Sequence, residues 1–475
     1  MSRPRSRPVN PNVATPLRVA YFLRGLDGVF LRPPAGVTLF ALVSAGTDQE
    51  SFARRNLPAD AVLPFRLRRE HGPYPTTEEL LRHSDVAAIL RRHRVGALFL
   101  SSACSAGTWE WSQRHRVRLL MTEYTEQRRL EDKIWFDRFL QRYHLPRPAG
   151  TSFRLGRDPL PLSTPAVLQI ADSMGGEGTF FLKSAHDLTA LQQKGMIHPG
   201  QRYLLRRYIS GRPFGITIYV GERDILLSAL RLQCYYPTTH GSVQRGFAGI
   251  QWVASADLSD RLRRRVNRTF LALGQALHRR RSLGFANVDF MVDAQDRIFI
   301  LECNARMSAA TPQLLAHPDL IGGDDVGQHF LQRAQAPGRC SRSPRLGSLP
   351  DSDFVGATLD LVAPAAAVRR PQSTNPLRVQ RAYRTGRYLA REGGWSFVSP
   401  SVLPPPCGAE ISMFFFAERG QVCAEDDTLA TILSPQPLYD SQGSLLPLAQ
   451  QILAHFRPTA RIGSRPSVPW EPDHG

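Results

Sequence analysis

Residues Gly284–Arg306 read GFANVDFMVDAQDRIFILECNAR. Two apolar runs flank the polar Asp293–Arg297, the pattern of a β-hairpin. Side chains alternate along a strand. Ile298, Ile300, Glu302 and Asn304 therefore fall on one face, and Phe299, Leu301 and Cys303 on the other. On the preceding strand Asn287, Asp289 and Met291 face together. A tight turn centred on Gln295–Asp296 puts Asp289 directly across from Glu302. Two bare carboxylates so placed repel each other. A divalent cation between them removes the repulsion. Magnesium suits the position because it takes oxygen ligands and leaves room for phosphate oxygens. The expected metal residues are Asp289, Glu302 and Asn304.

The chain has 475 residues, enough for two to four domains with their own cores. No apolar run is long enough to span a bilayer, and MSRPRSRPVNPNVATP lacks the apolar segment of a secretory signal. Six scattered cysteines suggest neither a disulfide framework nor a compact zinc site. These features predict a cytoplasmic protein. The formal charge is +19, which raises nucleic acid as a partner. Of 60 basic residues, however, only Lys133, Lys183 and Lys194 are lysine, and the 57 arginines form no stripe. That bias reads as codon usage, and no specific nucleic-acid or membrane partner is expected.

Residues 1–16 and 457–475 are polar, proline-rich and without periodicity, and are expected to be disordered. Between residues 17 and 125, buried-looking strands (LRVAYFL, VTLFALVS, VGALFLSS, VRLLM) alternate with helical segments, which predicts a parallel α/β domain. A charged amphipathic helix is expected over 126–143, ended by LPRP at 145–148. Strand-like runs follow through residue 220, then a long helix at 258–281 before the hairpin. The second domain is placed at 126–340, with a lid subdomain at about 150–210. An accessory domain is placed at 341–456.

Within VLQIADSMGGEGTFFLKS, one strand runs into Gly175, Gly176, Glu177, Gly178 and Thr179, and a second leaves. Glycines permit close backbone approach, and successive N–H groups can cradle phosphates. No helix follows, so this is not the dinucleotide fingerprint, nor is it GxxxxGK[ST]. A plain glycine hairpin is the alternative. Lys183 on the exit strand faces either phosphate or solvent.

Taken in order, these elements resemble the ATP-grasp superfamily of carboxylate–amine ligases over roughly 126–315. The resemblance is to bacterial peptide ligases with a distinct domain before the core. It implies an α/β fold: a pre-ATP-grasp parallel domain, an ATP-grasp fold of two α+β subdomains, and a C-terminal α+β extension. It makes Lys133 of the entry helix a phosphate contact and the GGEGT segment a mobile lid. The hinge strand LLRRYISG would read adenine through backbone groups at Arg207 and Ile209. Arg306 would steady the transferred phosphate.

Three positions depart from the superfamily pattern. Gln169 stands where a second phosphate-binding lysine is usual. Arg212-Pro213 lacks a ribose-holding acid. Asn287 stands where some ligases carry an arginine.

The implied reaction uses ATP and magnesium (or manganese). A carboxylate takes the γ-phosphoryl group, an amine attacks the acylphosphate, and ADP and phosphate leave. Amino acids or short peptides are the implied substrates, and a homodimer stays open. Segment 229–252 is expected to close over them. Arg245 offers a bidentate fork for a carboxylate, His240 reads as a surface histidine or a base, and Cys234 and Cys303 read as packing residues. Ser101–Ser105, ending a parallel strand, borders an acceptor site or is a polar turn. Rival readings are kinase-type phosphoryl transfer and a noncatalytic nucleotide-binding protein.

Overall fold

The computed structural model describes residues 16–66, 76–158, 165–173, 178–236, 246–335, 340–362, 377–379, 383–416, 422–423, 428–456 and 460–462. The apolar runs near the start become five parallel strands: β1 (Leu17–Phe22), β2 (Val37–Ser44), β3 (Val62–Phe65), β4 (Ala97–Phe99) and β5 (Arg118–Leu120), in the order β3-β2-β1-β4-β5. Both faces are covered. Ala20, Phe22, Leu42 and Leu98 pack with the helical Leu80, Leu81, Val86 and Leu90. Val19, Tyr21, Val43 and Phe99 pack with Phe330 and Leu331. Burial on two sides explains why these strands are apolar throughout rather than alternating.

A four-stranded antiparallel sheet follows, built from β6 (Gly150–Arg154), β7 (Ala166–Ile170), β8 (Thr179–Leu182) and β9 (Arg202–Arg207), in the order β6-β9-β7-β8. Helix Ala185–Gln193 closes its small core through Leu188 and Leu191.

The largest sheet begins with β10 (Arg212–Val220), β11 (Asp224–Leu227), β12 (Arg231–Tyr235), β13 (Phe247–Trp252), β14 (Gly284–Val292) and β15 (Ile298–Asn304). Beyond these come β16 (Arg345–Leu346), β17 (Ala357–Val362), β19 (Gly386–Arg391), β20 (Gly394–Ser399), β21 (Glu410–Phe415) and β23 (Thr428–Ser434), while β18 (Leu377–Val379), β22 (Val422–Cys423) and β24 (Ala460–Ile462) form a separate sheet in the order β22-β18-β24. The path runs β15-β14-β10-β12-β13-β17-β23-β21-β19-β20, with β11 beside β10 and β16 beside β11. The C-terminal strands thus continue the sheet that holds the hairpin. Helix Asp260–Arg279 lies on this sheet, its buried Leu262, Val266, Phe270, Leu273 and Leu277 recurring at helical spacing.

Two sequence expectations are corrected here. The strand Ala460–Ile462 pairs antiparallel with Leu377–Val379, so residues expected to be a structureless tail supply ladder hydrogen bonds. The flanks of segment 229–252 are sheet strands, not a closing flap. Arg231 and Trp252 are each about 2 % exposed or less, held by pairing of β12 with β10 and β13. Among the described residues, no helix is long and apolar enough to cross a membrane.

Candidate active site

The hairpin register brings Asp289 opposite Glu302 and Asn287 opposite Asn304. The route to that register differs from simple alternation. Val292 pairs with Ile298 and Phe290 with Ile300, so Leu301 is an extra residue, a β-bulge. The bulge reverses the facing of everything after it. Ile298 and Ile300 join Cys303 in the core, while Glu302 and Asn304 turn to the opposite face with Asp289. The expectation that Ile298, Ile300, Glu302 and Asn304 share one face is therefore wrong. An uninterrupted strand could not bury the isoleucines and present the carboxylate.

Strand β15 is the outer strand of its sheet, and the chain from 124 to 146 covers it. Ile300 N donates to Pro146 O at 3.0 Å. The single helix expected over 126–143 is two, Tyr124–Glu131 and Lys133–Arg142. Asp132 separates them, its carboxylate accepting from Ile134 N at 2.9 Å and Trp135 N at 2.8 Å, an N-cap inside the predicted helix. The break sets Glu131 and Lys133 around the hairpin. Lys133 N donates to Ala171 O at 2.9 Å. Its buried Nζ bonds to Ser173 O, lies 3.2 Å from Ser173 Oγ and 3.6 Å from Glu302 Oε2. Lys133 thus joins the start of the glycine segment to the carboxylate pair.

Asp289 is also held by residues on its own face of the sheet. Gln233 Nε2 donates to its Oδ1 at 2.5 Å, and Asn304 Nδ2 lies 3.5 Å from its Oδ2. Arg231, buried on β12, donates to Thr217 Oγ1 at 3.0 Å and Asn287 Oδ1 at 3.2 Å. Burial lowers the Arg231 guanidinium to about 10, with Asp289 pulling it back up. The Asp289 carboxyl stands well above the usual carboxylate range. Burial is the larger cause, the charge of Glu302 the next, and Arg231 opposes both. Arg306 Nη2 donates to Asn304 Oδ1 at 3.0 Å, and Arg306 also pairs with Glu131. Burial raises the Glu131 carboxyl, and Arg306 works against the rise.

The remaining expected residues divide. Gln169 and Thr179 sit opposite each other at the mouth of the β7–β8 hairpin, 3.4 Å apart through Gln169 Nε2 and Thr179 Oγ1. Gly178 has φ +71, and its carbonyl accepts from Ile170 N at 2.8 Å. Gly175, Gly176, His240 and Arg245 lie outside the described residues. Lys183 does not join the cluster. It is exposed just past the end of β8 away from the glycines, and its N–H caps onto Asp187 at 2.7 Å. Arg207 has an exposed side chain, and its N–H donates to Ala149 O at 2.8 Å, so only its carbonyl is left for a base edge. Ile209 is buried beside it.

Sequence reading missed Arg206. This residue is 2 % exposed and reaches Gln169 Oε1 at 3.4 Å, Leu301 O at 2.8 Å and Asp137 at 2.9 Å. It brings a cation to the neighbourhood of Gln169, where a lysine would ordinarily be expected, and it bonds the bulge carbonyl. Alternation in Tyr203–Arg207 was the available signal. Tyr203 and Leu205 enter the small core, so Arg206 points the other way. Gln233 was missed as well, though it shares a face with Arg231.

Among the described residues, no group of three or more His, Cys, Asp or Glu side chains is placed to hold a metal. The donor set is instead two carboxylates and an amide. Such a set fits magnesium, which uses one or two carboxylates and completes its shell with phosphate oxygens and water.

No protein-family model matches the chain. Solved structures do. Campylobacter jejuni biotin carboxylase, in a β-γ-ATP complex, superposes with a TM-score of 0.58 at 15 % identity, covering 88 % of this chain and 86 % of that one. The biotin carboxylase domain of Hydrogenobacter thermophilus 2-oxoglutarate carboxylase, in complex with MgADP, ADP and bicarbonate, gives 0.58 at 12 %, covering 94 % and 90 %. An L-amino acid ligase from Bacillus licheniformis gives 0.52 at 13 %, covering 89 % and 94 %. The fold is ATP-grasp. With 88–94 % of this chain covered, the likeness extends beyond the 126–315 segment read from sequence.

Proposed function

We propose that the chain is an ATP- and magnesium-dependent carboxylate–amine ligase that forms an amide or peptide bond and releases ADP and phosphate. The observation that carries this reading is the pairing of Asp289 with Glu302 across a bulged hairpin, with Lys133 3.6 Å from Glu302 and Arg306 bonded to Asn304. The grouping has the charges that phosphoryl transfer to a carboxylate needs. Asp289, Glu302 and Asn304 would hold magnesium, which offsets the charge of the phosphate oxygens. Lys133, tied to Ser173 at the entry to the glycine segment, binds a nucleotide phosphate. Arg306 meets the acylphosphate as charge shifts onto it, and its bond to Asn304 fixes its approach. The phosphate contacts of this reading are Gln169, Gly175, Gly176, Gly178 and Thr179, and its base contacts are Arg207 and Ile209. Arg245 is assigned to a substrate carboxylate. A lid over the intermediate would exclude water. Amino acids or short peptides are the substrates of this reading.

The test is ADP release by the full chain with a panel of amino acids and short peptides, with mass detection of new amides. Asp289→Asn and Glu302→Gln should lose ADP release while keeping the wild-type circular dichroism spectrum. A phosphorylated product would replace ligation by kinase-type transfer. Nucleotide binding without turnover on any substrate would leave a noncatalytic binding protein.

A further inference from the structure

A cavity of about 450 Å³ opens beside Arg306, between the C-terminal ends of β1 and β4, the Arg306–Pro312 loop, and strands β21 and β23. Its size is that of a small-molecule site. One wall is apolar, made by Leu26, Pro312, Phe414, Phe416 and Leu433. Asp27, just beyond the end of β1, lines the opposite part with Ser101 and Ser102. Asp27 Oδ1 is buried from the cavity as well as from bulk solvent and receives no hydrogen bond, and neither does the nearby buried Tyr21 Oη, whereas the rest of the Asp27 side chain is partly exposed. A cation in the cavity would meet the exposed part of this carboxylate and offset the cost of a charge whose inner oxygen has no donor. Burial has already pushed the Asp27 carboxyl up to about 7.

We propose that this cavity receives the carboxylate substrate and that the substrate is an α-amino acid with an apolar side chain. Its ammonium sits on Asp27, its side chain lies against Phe414, Phe416 and Leu433, and its carboxylate points toward Arg306. The assignment rests on the ligase reading and narrows it. A simple carboxylate without an amine leaves Asp27 unanswered, whereas an ammonium brings both charge and donors.

The experiment is calorimetric titration of the full chain with L-phenylalanine and with 3-phenylpropanoate, without nucleotide. L-Phenylalanine should bind at least about tenfold tighter, the scale of one charge-assisted hydrogen bond. Asp27→Asn should erase that preference while leaving 3-phenylpropanoate binding unchanged. Phe416→Ala should weaken both probes and keep the preference. Equal binding of the two probes to the wild type, binding of neither, or a preference that survives Asp27→Asn overturns the proposal. The wild-type comparison decides even if the Asp27 variant misfolds. ADP release driven by 3-phenylpropanoate or bicarbonate in preference to amino acids would remove the cavity assignment and keep the ligase. Amine-dependent binding in a chain that never releases ADP would do the reverse.

Discussion

Gly215 on β10 pairs with Asp289 on one side and Arg231 on the other, and a Cβ at that position would lie 2.8 Å from Gln233 Nε2 and 3.0 Å from Arg231 Nε. The missing side chain is the channel through which two β12 residues reach over β10 toward a carboxylate on β14. Gly215→Ala should displace Gln233 and Arg231 by a few tenths of an ångström. The expected result is a fall of about tenfold in magnesium-dependent nucleotide affinity, the usual scale for losing a residue that orients a metal ligand. Calorimetry with MgADP checks it. The unfolding midpoint should fall as well, because Arg231 is buried and bonded to Thr217 and Asn287 and gives way only by straining those bonds.

Asp289→Asn separates the cost of the pair from its use. The wild type holds two adjacent carboxylates on a partly buried face, with Asp289 raised by burial and by Glu302. Removing one charge should leave the ligand-free protein as stable as before, or more stable by something on the order of 1 kcal/mol. It should also abolish stabilisation by MgADP, which at a hundredfold excess over Kd is worth about 2.7 kcal/mol to a protein that binds it. Thermal unfolding with and without MgADP reads both terms. A variant that retains the full MgADP shift would exclude Asp289 as a metal ligand.

The hairpin carrying Asp289 and Glu302 was legible because four polar residues mark its turn, although the register set by that turn, Val292 opposite Ile298, would by itself bring Leu301 to Asp289. The bulge at Leu301 was not. It is stabilised from outside the hairpin, by Arg206 of the small sheet bonding the Leu301 carbonyl at 2.8 Å. No period within residues 298–304 carries that contact. Lys133 was legible by type and position, yet its placement depends on Asp132 breaking a helix that amphipathicity alone made continuous. Lys183 shows the opposite failure. It shares strand parity with Thr179, but it lies past the far end of a four-residue strand, so facing the same way does not bring it near the phosphate side. The parallel N-terminal sheet was readable from its apolar runs. Continuation of the large sheet into β17–β23 was not, because pairing between strands a hundred residues apart leaves no local mark.

Arg206 and Asp137 form a buried ion pair, with Arg147 as a second cation 3.0 Å from Asp137. Burial lowers the Arg206 guanidinium, and Asp137 opposes the shift. Arg206→Met removes one partner and strands the carboxylate on Arg147 alone. It should cost about 3–5 kcal/mol, while a double Arg206→Met, Asp137→Leu variant should recover much of that loss. Urea unfolding measures both. Since Arg206 also bonds the bulge carbonyl, the double variant should regain stability without regaining ADP release. Recovery of both would reduce Arg206 to a purely structural role.

Asp360 gives a pH dependence away from the metal residues. It is 7 % exposed on β17, its Oδ1 accepts from Thr431 Oγ1 at 2.6 Å, and burial raises its carboxyl to about 6. The neighbouring Tyr236 and Tyr439 are shifted upward, away from this range, by burial. The folded value lies above the unfolded one, so the folded chain holds the proton more tightly. The resulting stability is fully present below about pH 4 and is lost as pH rises through 6. Asp360→Asn keeps an acceptor for Thr431 and removes the titration. Its urea midpoint should therefore change less between pH 4 and 7 than the wild type's, and at pH 7 the variant should be more stable by up to about 3 kcal/mol. Parallel midpoint-against-pH curves for the two proteins would show that Asp360 is charged in the fold throughout, and that a donor besides Thr431 serves its carboxylate.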